Sequence, residues 1–547
     1  MGKLYGQTVG LKPSQVKRLE RIYQRRLTGE EVIAPDLARI VTEISHETGR
    51  QIGLLIDRRG VISHVIVGDG RGIVIPPLSR LRGLETRLKG LRLIHTHLLG
   101  EPLSDDDLAD LSLLSLDLIA VLQVKPDGLP GAMTVTHLLP QAIEGKDYRT
   151  ITADHPAALD LDFAPFIQAL EEEFARTGQV AGLDSAKDRA ILVSVSDKSR
   201  AKILESLAEL TELATSSGIK VLDQVIQVTR KMNSRYVLGR GKLTELMARM
   251  LQMGANLLIF DQELNPSQVR SLTDATEVRI IDRTQLILDI FARRAKSREG
   301  KIQVEIAQLK YLLPRLVVKN TAMSRLTGGI GARGPGETKL EINRRRANDR
   351  LHRLQKQLEN VRKERQLRRD HRRRKGMPVI SIIGYTNAGK STLLNALTKS
   401  RVFTENKPFA TLDPTSRRLR FPRDVEVIIT DTVGFIADLP KDLMEAFKAT
   451  LEEMEDADLL LHVVDASSPA FEKHISAVEQ ILAQINLDQI PILMVLNKED
   501  LADPLTVANR CQQYDAVSIS ARDVNTFGPL LERMEDFFLN RAEGNQP

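Results

Sequence analysis

The segment Gly384-Tyr385-Thr386-Asn387-Ala388-Gly389-Lys390-Ser391 constrains this chain more than any other, because few backbones can accommodate it. It follows a β-rich apolar run, Val379 to Gly384, and leads into a helical run, Thr392 to Thr398. A glycine-bounded turn at that junction aims several backbone N–H groups into one concavity at a helix N-terminus, which suits phosphate oxygens. Lys390 brings a cation to the β- and γ-phosphates, and the Ser391 hydroxyl can ligate Mg²⁺. The last third of the chain is therefore expected to fold as a doubly wound α/β sheet.

Short β-rich runs at Val425–Thr430, Leu459–Val464, Pro491–Leu496 and Ala516–Ile519 alternate with helical stretches and complete that sheet. Three of them end in polar motifs. Asp431-Thr432-Val433-Gly434 places a carboxylate where it can hold the Mg²⁺ shell and a glycine amide where it can approach a γ-phosphate. In Asn497-Lys498-Glu499-Asp500 a carboxylate can accept hydrogen bonds from both the guanine N1 and the exocyclic amine, which adenine cannot offer, so GTP is selected over ATP. Backbone amides of Ser518-Ile519-Ser520-Ala521 can meet the guanine carbonyl. Four motifs in this order, each at the carboxyl end of a strand, share one rim of the sheet.

These motifs resemble the translation-factor-related class of GTPase domains. The segment Phe409-Ala410-Thr411-Leu412-Asp413-Pro414-Thr415 resembles the first switch of the Obg–HflX superfamily. That resemblance implies that Thr411 is the γ-phosphate-sensing Mg²⁺ ligand, with Thr415 the competing candidate, and that Lys390, Thr411 and Gly434 carry the chemistry. Phe435 follows Gly434 where many GTPases have a glutamine that orients water; a phenyl ring cannot do so, and slow intrinsic hydrolysis is expected. The resemblance implies that a K⁺ ion, a partner surface or both compensate, with Asn387 helping to hold the ion.

Upstream, Tyr236 to Lys242, Phe260 to Gln268, Asp282 to Phe291 and Gly328 to Leu340 are similar to HflX, and the likeness covers the chain from about Lys187 onward. It implies a GTPase that binds the large ribosomal subunit and its rRNA and splits or rescues stalled ribosomes. Fifteen Lys and Arg lie between Glu341 and Lys375, in a run where Ala347, Leu351, Leu354, Leu358 and Val361 repeat at four-three spacing. One helix can thus bury an apolar stripe and expose many cations toward a polyanion. A second apolar stripe, Ile302, Ile306, Leu309 and Leu313, predicts its partner in an antiparallel hairpin, joined by the glycine-rich loop Thr327 to Gly336.

At 547 residues the chain exceeds one core. The expected division is an extra α/β domain over 1–145, a linker over 146–186, a second α/β domain over 187–300, the basic hairpin over 301–376, the GTPase domain over 377–541 and a short tail over 542–547. The net charge is +6, 42% of residues are apolar, and no eighteen consecutive apolar residues occur. The single cysteine, Cys511, excludes an internal disulfide. A cytoplasmic monomer without stable membrane insertion or a DNA partner is expected. Two other readings remain open: an RNA-remodelling module with a regulatory nucleotide site, and a GTPase fused to a metallo-hydrolase.

The second of these rests on His95-Thr96-His97, followed by Ser104 and Asp107, at the end of an apolar strand. Two imidazoles and a carboxylate can hold zinc with one position left open. The pattern resembles the metal-binding signature of JAMM-type proteases, although the gap from His97 to Ser104 is one residue shorter and Leu98 stands in place of a proline. Glu43 and Glu47 are the candidate general bases, and Asp105-Asp106-Asp107 equally suits a helix N-terminus.

Overall fold

Runs of Ile, Val and Leu fold as strands here because each is short, β-branched and bounded by glycine or polar turns. The computed structural model describes residues 2–76, 78, 88–179, 188–276, 278–295, 297–318, 339–373, 377–398, 415–431, 434–435 and 452–544. The first sheet comprises β1 (Leu4–Gly6), β2 (Ile52–Asp57), β3 (Ile62–Val67), β4 (Leu91–His97), β5 (Leu118–Val124), β6 (Pro130–Ile143) and β7 (Lys146–Ala153). Their order is β1-β3-β2-β4-β5-β6-β7. Helices α1 (Pro13–Ile22), α2 (Pro35–Thr48), α3 (Asp105–Leu113) and α4 (Phe163–Gln179) accompany it. Every residue of β4 is buried, as a strand covered on both faces must be.

Residues 146–186 were expected to link two domains, and here the structure differs. Residues Lys146 to Ala153 form β7, which pairs antiparallel with β6, and Phe163, Ile167, Leu170 and Phe174 of α4 enter the core of the first sheet. The apolar positions of α4 recur at helical spacing and have that sheet to cover, whereas a linker would leave them in water.

The second sheet, β8 (Arg189–Ser196), β9 (Lys220–Val228), β10 (Leu257–Phe260) and β11 (Arg279–Asp282), runs in the order β11-β10-β8-β9, with β8 parallel to both neighbours. Helices α5 (Arg200–Ser216), α6 (Arg240–Met253) and α7 (Pro266–Thr276) connect its strands along the chain, and α8 (Arg283–Arg294) follows β11. The two sheets share apolar packing: Ala109 and Leu113 of α3 join the core around Leu243, Leu246 and Met250 of α6, and Leu251 reaches the first core. One compact unit accordingly contains residues 1–207 and 218–281; the other contains 208–217 and 282–547.

In the second unit, α9 (Arg298–Val318) and α10 (Lys339–Arg373) pack through Ile302, Ile306 and Leu354, and Arg350 bonds Glu305 through both of its forks at 2.7 and 3.0 Å. This is the expected hairpin; the glycine-rich loop 327–336 lies outside the described residues. The last sheet contains β12 (Val379–Ile383), β13 (Thr415–Arg420), β14 (Glu426–Asp431), β15 (Leu459–Asp465), β16 (Ile492–Asn497) and β17 (Val517–Ile519), ordered β13-β14-β12-β15-β16-β17. With α11 (Lys390–Thr398), α12 (Phe471–Gln484), α13 (Pro504–Tyr514) and α14 (Gly528–Gly544) it is the doubly wound fold. The strands from β14 through β17 are parallel, and only β13 runs against its neighbour. Among the described residues, no helix is long and apolar enough to cross a membrane.

Candidate functional site

Strand β12 lies between β14 and β15, so successive connections leave it in opposite directions and a crevice opens at its carboxyl end. The loop 384–389 fills that crevice. Gly384 has φ +144°, and a Cβ there would lie 2.1 Å from the Val463 carbonyl oxygen; Gly389 has φ +94° and would meet Asn497 Nδ2 at the same distance. These two positions require glycine. Between them Asn387 adopts left-handed backbone at φ +63°, which asparagine tolerates better than most residues.

The Lys390 ammonium is buried and donates to the carbonyls of Gly384 at 3.0 Å and Tyr385 at 2.7 Å. Burial pushes it down to about 8, against the opposing pull of Asp431. A cation held this way is short of anionic partners until phosphate arrives. Ser391 Oγ donates to Asp431 Oδ2 at 2.5 Å, and Asp431 is buried at the end of β14. Two converging oxygens at a phosphate loop are the donor set a hard divalent cation takes. Gly434 closes the phosphate side, since a Cβ there would come within 3.0 Å of Lys390 Nζ and of Thr386 Cγ2.

The next residue, Phe435, turns away from this space. Its amide donates to the Gly384 carbonyl at 3.1 Å, its carbonyl accepts from Thr386 N at 2.8 Å, and its ring packs with Ile383, Leu460 and Val478. The side chain thus belongs to the core.

Asn497 organises the base side. Its Nδ2 donates to the Ala388 carbonyl at 2.7 Å and its Oδ1 accepts from Ala521 N at 2.9 Å, so one buried carboxamide ties the phosphate loop to both base-recognition loops. Lys498, at φ +65°, reaches Asp465 Oδ2 at 2.6 Å, and Asp500 is exposed on the rim, where a guanine edge can meet it. Ser518 and Ile519 end β17, and Ser520 N donates to the Thr526 hydroxyl at 3.0 Å. The structure thus brings residues 384–391, Asp431, Gly434, 497–500 and 518–521 to one rim. Phe409, Ala410, Thr411, Leu412 and Asp413, with Thr432 and Val433, lie outside the described residues.

Sequence reasoning missed two partners of this rim. The Tyr385 ring stacks on His474 at 3.9 Å between centroids, and its hydroxyl donates to Glu209 at 2.6 Å; Glu209 in turn pairs with Arg283 at 2.7 Å. No motif marks Glu209 or His474. Asp465 was also missed, although its place at the end of β15 signals it.

The first unit holds the other predicted group. Residues two apart on a strand point to one face, so His95 and His97 stand side by side, their rings 4.8 Å apart, while Thr96 faces oppositely and bonds the Ser45 hydroxyl at 2.7 Å. Helix α3 begins beside them: Ser104 is its N-cap and Asp107 completes the capping box. Asp107 Oδ1 lies 3.2 Å from His95 Nε2, and Oδ2 lies 3.6 Å from His97 Nε2. Burial pushes the Asp107 carboxyl up, yet the two imidazoles and the Ser104 hydroxyl hold it well below the usual carboxylate range. Both sequence readings of the acidic triplet therefore meet in one residue. Glu43 and Glu47, expected as bases, form ion pairs with Arg18 on the α1–α2 side, and Glu43 also with Arg39. The carboxylate found beside the cluster is Glu101, with Oε1 4.0 Å from His97 Nδ1.

A phosphate loop at the switch point of a doubly wound sheet, with a base rim ending in Asp500, defines a guanine-nucleotide-binding P-loop protein. Residues 204–292 match the family described as GTP-binding GTPase N-terminal, 294–372 the GTP-binding GTPase Middle Region, and 379–498 the 50S ribosome-binding GTPase family. The GTPase HflX of Caldanaerobacter subterraneus subsp. tengcongensis is 48% identical over 357 residues, covering 65% of this chain and 82% of its own. That of Lacrimispora saccharolytica is 43% identical over 359 residues, covering 66% and 85%, and that of Escherichia coli 46% over 319 residues, covering 58% and 74%. The chain belongs to the HflX GTPase family, and it binds and hydrolyses GTP. Residues 1–203 lie outside the three matched segments.

Proposed function

We propose that this GTPase binds the large ribosomal subunit in its GTP state and splits stalled ribosomes, with hydrolysis resetting it. The observation that carries the reading is the match of residues 379–498 to a family described as 50S ribosome-binding. The hairpin supports it. Arg344, Arg345, Arg346, Arg353 and Lys356 of α10 are exposed, while Leu354 is buried against α9. A helix anchored on one side and cationic on the other suits an RNA backbone, where phosphate contacts supply most of the affinity.

Chemistry at the rim follows from its own residues. Lys390 moves from backbone carbonyls to the β- and γ-phosphates, the amides of 384–389 orient them, and Gly434 N–H meets the γ-phosphate. Ser391, with Thr411 and Asp431, would hold Mg²⁺, which spreads the charge developing on the phosphates. Asn387 would help hold K⁺ in the same loop. Since Phe435 offers no polar atom to water, the ribosome is the proposed source of the missing orientation.

The test is sedimentation with purified large subunits in a non-hydrolysable GTP analogue, GDP and no nucleotide, together with light scattering of intact ribosomes. Analogue-dependent co-sedimentation and a fall in scattering are expected. Equal binding in all three states, strongest on free rRNA, would favour the RNA-remodelling alternative.

A further inference from the structure

We propose that His95, His97 and Asp107 form a mononuclear site for a divalent transition metal of zinc's type in the N-terminal sheet, distinct from the nucleotide's Mg²⁺ site. The three donors are buried and lie within 4.8 Å of one another. Ligands bound at 2.0–2.2 Å around a tetrahedral ion stand about 3.3–3.6 Å apart. The 3.2 Å from His95 Nε2 to Asp107 Oδ1 is close to such an edge, and His97 Nε2 lies 3.6 Å from Oδ2, the other oxygen of the same carboxylate. The second is too long for a hydrogen bond, and both His95 ring nitrogens are buried without one among the described residues. Proximity without alignment is what donors show when they converge on a shared point rather than on each other.

The surroundings fix the donors as an outer shell does. His97 Nδ1 donates to the Glu101 carbonyl at 2.9 Å, which leaves the Nε2 lone pair facing Asp107. Asp107 Oδ2 accepts from Ser104 N at 2.8 Å and from Ser104 Oγ at 2.7 Å, leaving Oδ1 for the ion. Two neutral imidazoles and one carboxylate match a borderline ion better than Mg²⁺ or Ca²⁺, which take mainly oxygen. Three protein donors leave one of four positions for water or a substrate oxygen. Glu101 stands next to that set, with Oε1 accepting from Gln51 Nε2 at 3.3 Å and Oε2 from Leu99 N at 2.7 Å.

The competing arrangement is a metal-free pair of imidazoles sharing one carboxylate. Full-length protein is stripped with chelator, equilibrated with Zn²⁺ alone, desalted and assayed for bound metal; Co²⁺ is then substituted and its visible ligand-field spectrum recorded. The proposal expects about one zinc per chain and a tetrahedral cobalt spectrum, both lost in His97→Gln and in Asp107→Asn. Ser104→Ala should keep the site with about 10–100-fold weaker affinity. Circular dichroism and thermal unfolding of each variant report that the first unit has folded, because GTP turnover reads only the second. Substoichiometric zinc in wild type, or equal zinc and an unchanged cobalt spectrum in a folded His97→Gln variant, would overturn it.

Discussion

Lys390 meets two opposing demands. It must be charged when phosphates arrive, yet burial lowers it to about 8 before they do. Phosphate binding raises its value, so the protonated form is the one that binds. Below about pH 8 the lysine is already protonated and affinity is full and independent of pH; above that, binding takes up a proton and affinity falls as pH rises. Calorimetric titration of GDP from pH 7 to 9.5 should show a loss approaching tenfold per unit above pH 8, with proton uptake in buffers of different ionisation enthalpy. A flat profile would mean that the lysine is fully charged throughout. Phe435 poses the complementary case. The sequence shows that it cannot orient water, but only the packing with Ile383, Leu460 and Val478 shows that its ring fills the core. Phe435→Ala is therefore expected to destabilise the domain by about 3–5 kcal/mol in denaturant titration, without faster turnover. Equal stability would place the ring elsewhere.

Among the elements, those with a strong local signature were legible. The loop 384–391 declares itself because glycine is needed at two positions and a lysine must follow, and β14, β16 and β17 because each apolar run ends in a polar motif. The strand β7 was not. Lys146 to Ala153 mixes exposed and half-buried residues without regular alternation and with no buried position, so only its pairing to β6 identifies it. Asn497 was read only as part of the base motif, since its bond to Ala388 spans 109 positions and no local pattern encodes it. The hairpin was legible from its apolar stripes, and it carries a prediction of its own. Replacing Arg346, Arg353 and Lys356 together by alanine should weaken binding to the large subunit and lower the slope of log affinity against log salt by about one for each phosphate no longer neutralised. Circular dichroism should show the helix retained. An unchanged slope would remove α10 from the RNA interface.

For the whole molecule, sequence reasoning set a linker between the first two sheets, whereas α3 and α6 share a core and place them in one unit. Residues far apart in sequence make that core, and periodicity within either helix cannot reveal which helix it faces. The second unit contains the nucleotide rim, the hairpin and the segment of α5 that carries Glu209. Among the described residues its rim gathers the phosphate loop, Asp431, Gly434 and the two base loops, and the Phe435 side chain offers water no hydrogen bond. The central claim is that the large ribosomal subunit makes up this deficit. GTP turnover by the purified protein in potassium buffer, with and without large ribosomal subunits and with Lys390→Ala as control, tests it most directly. Strong stimulation of the wild type, on the order of a hundredfold or more, with none in the variant is predicted. Intact GTP binding with turnover indifferent to the subunits would contradict it.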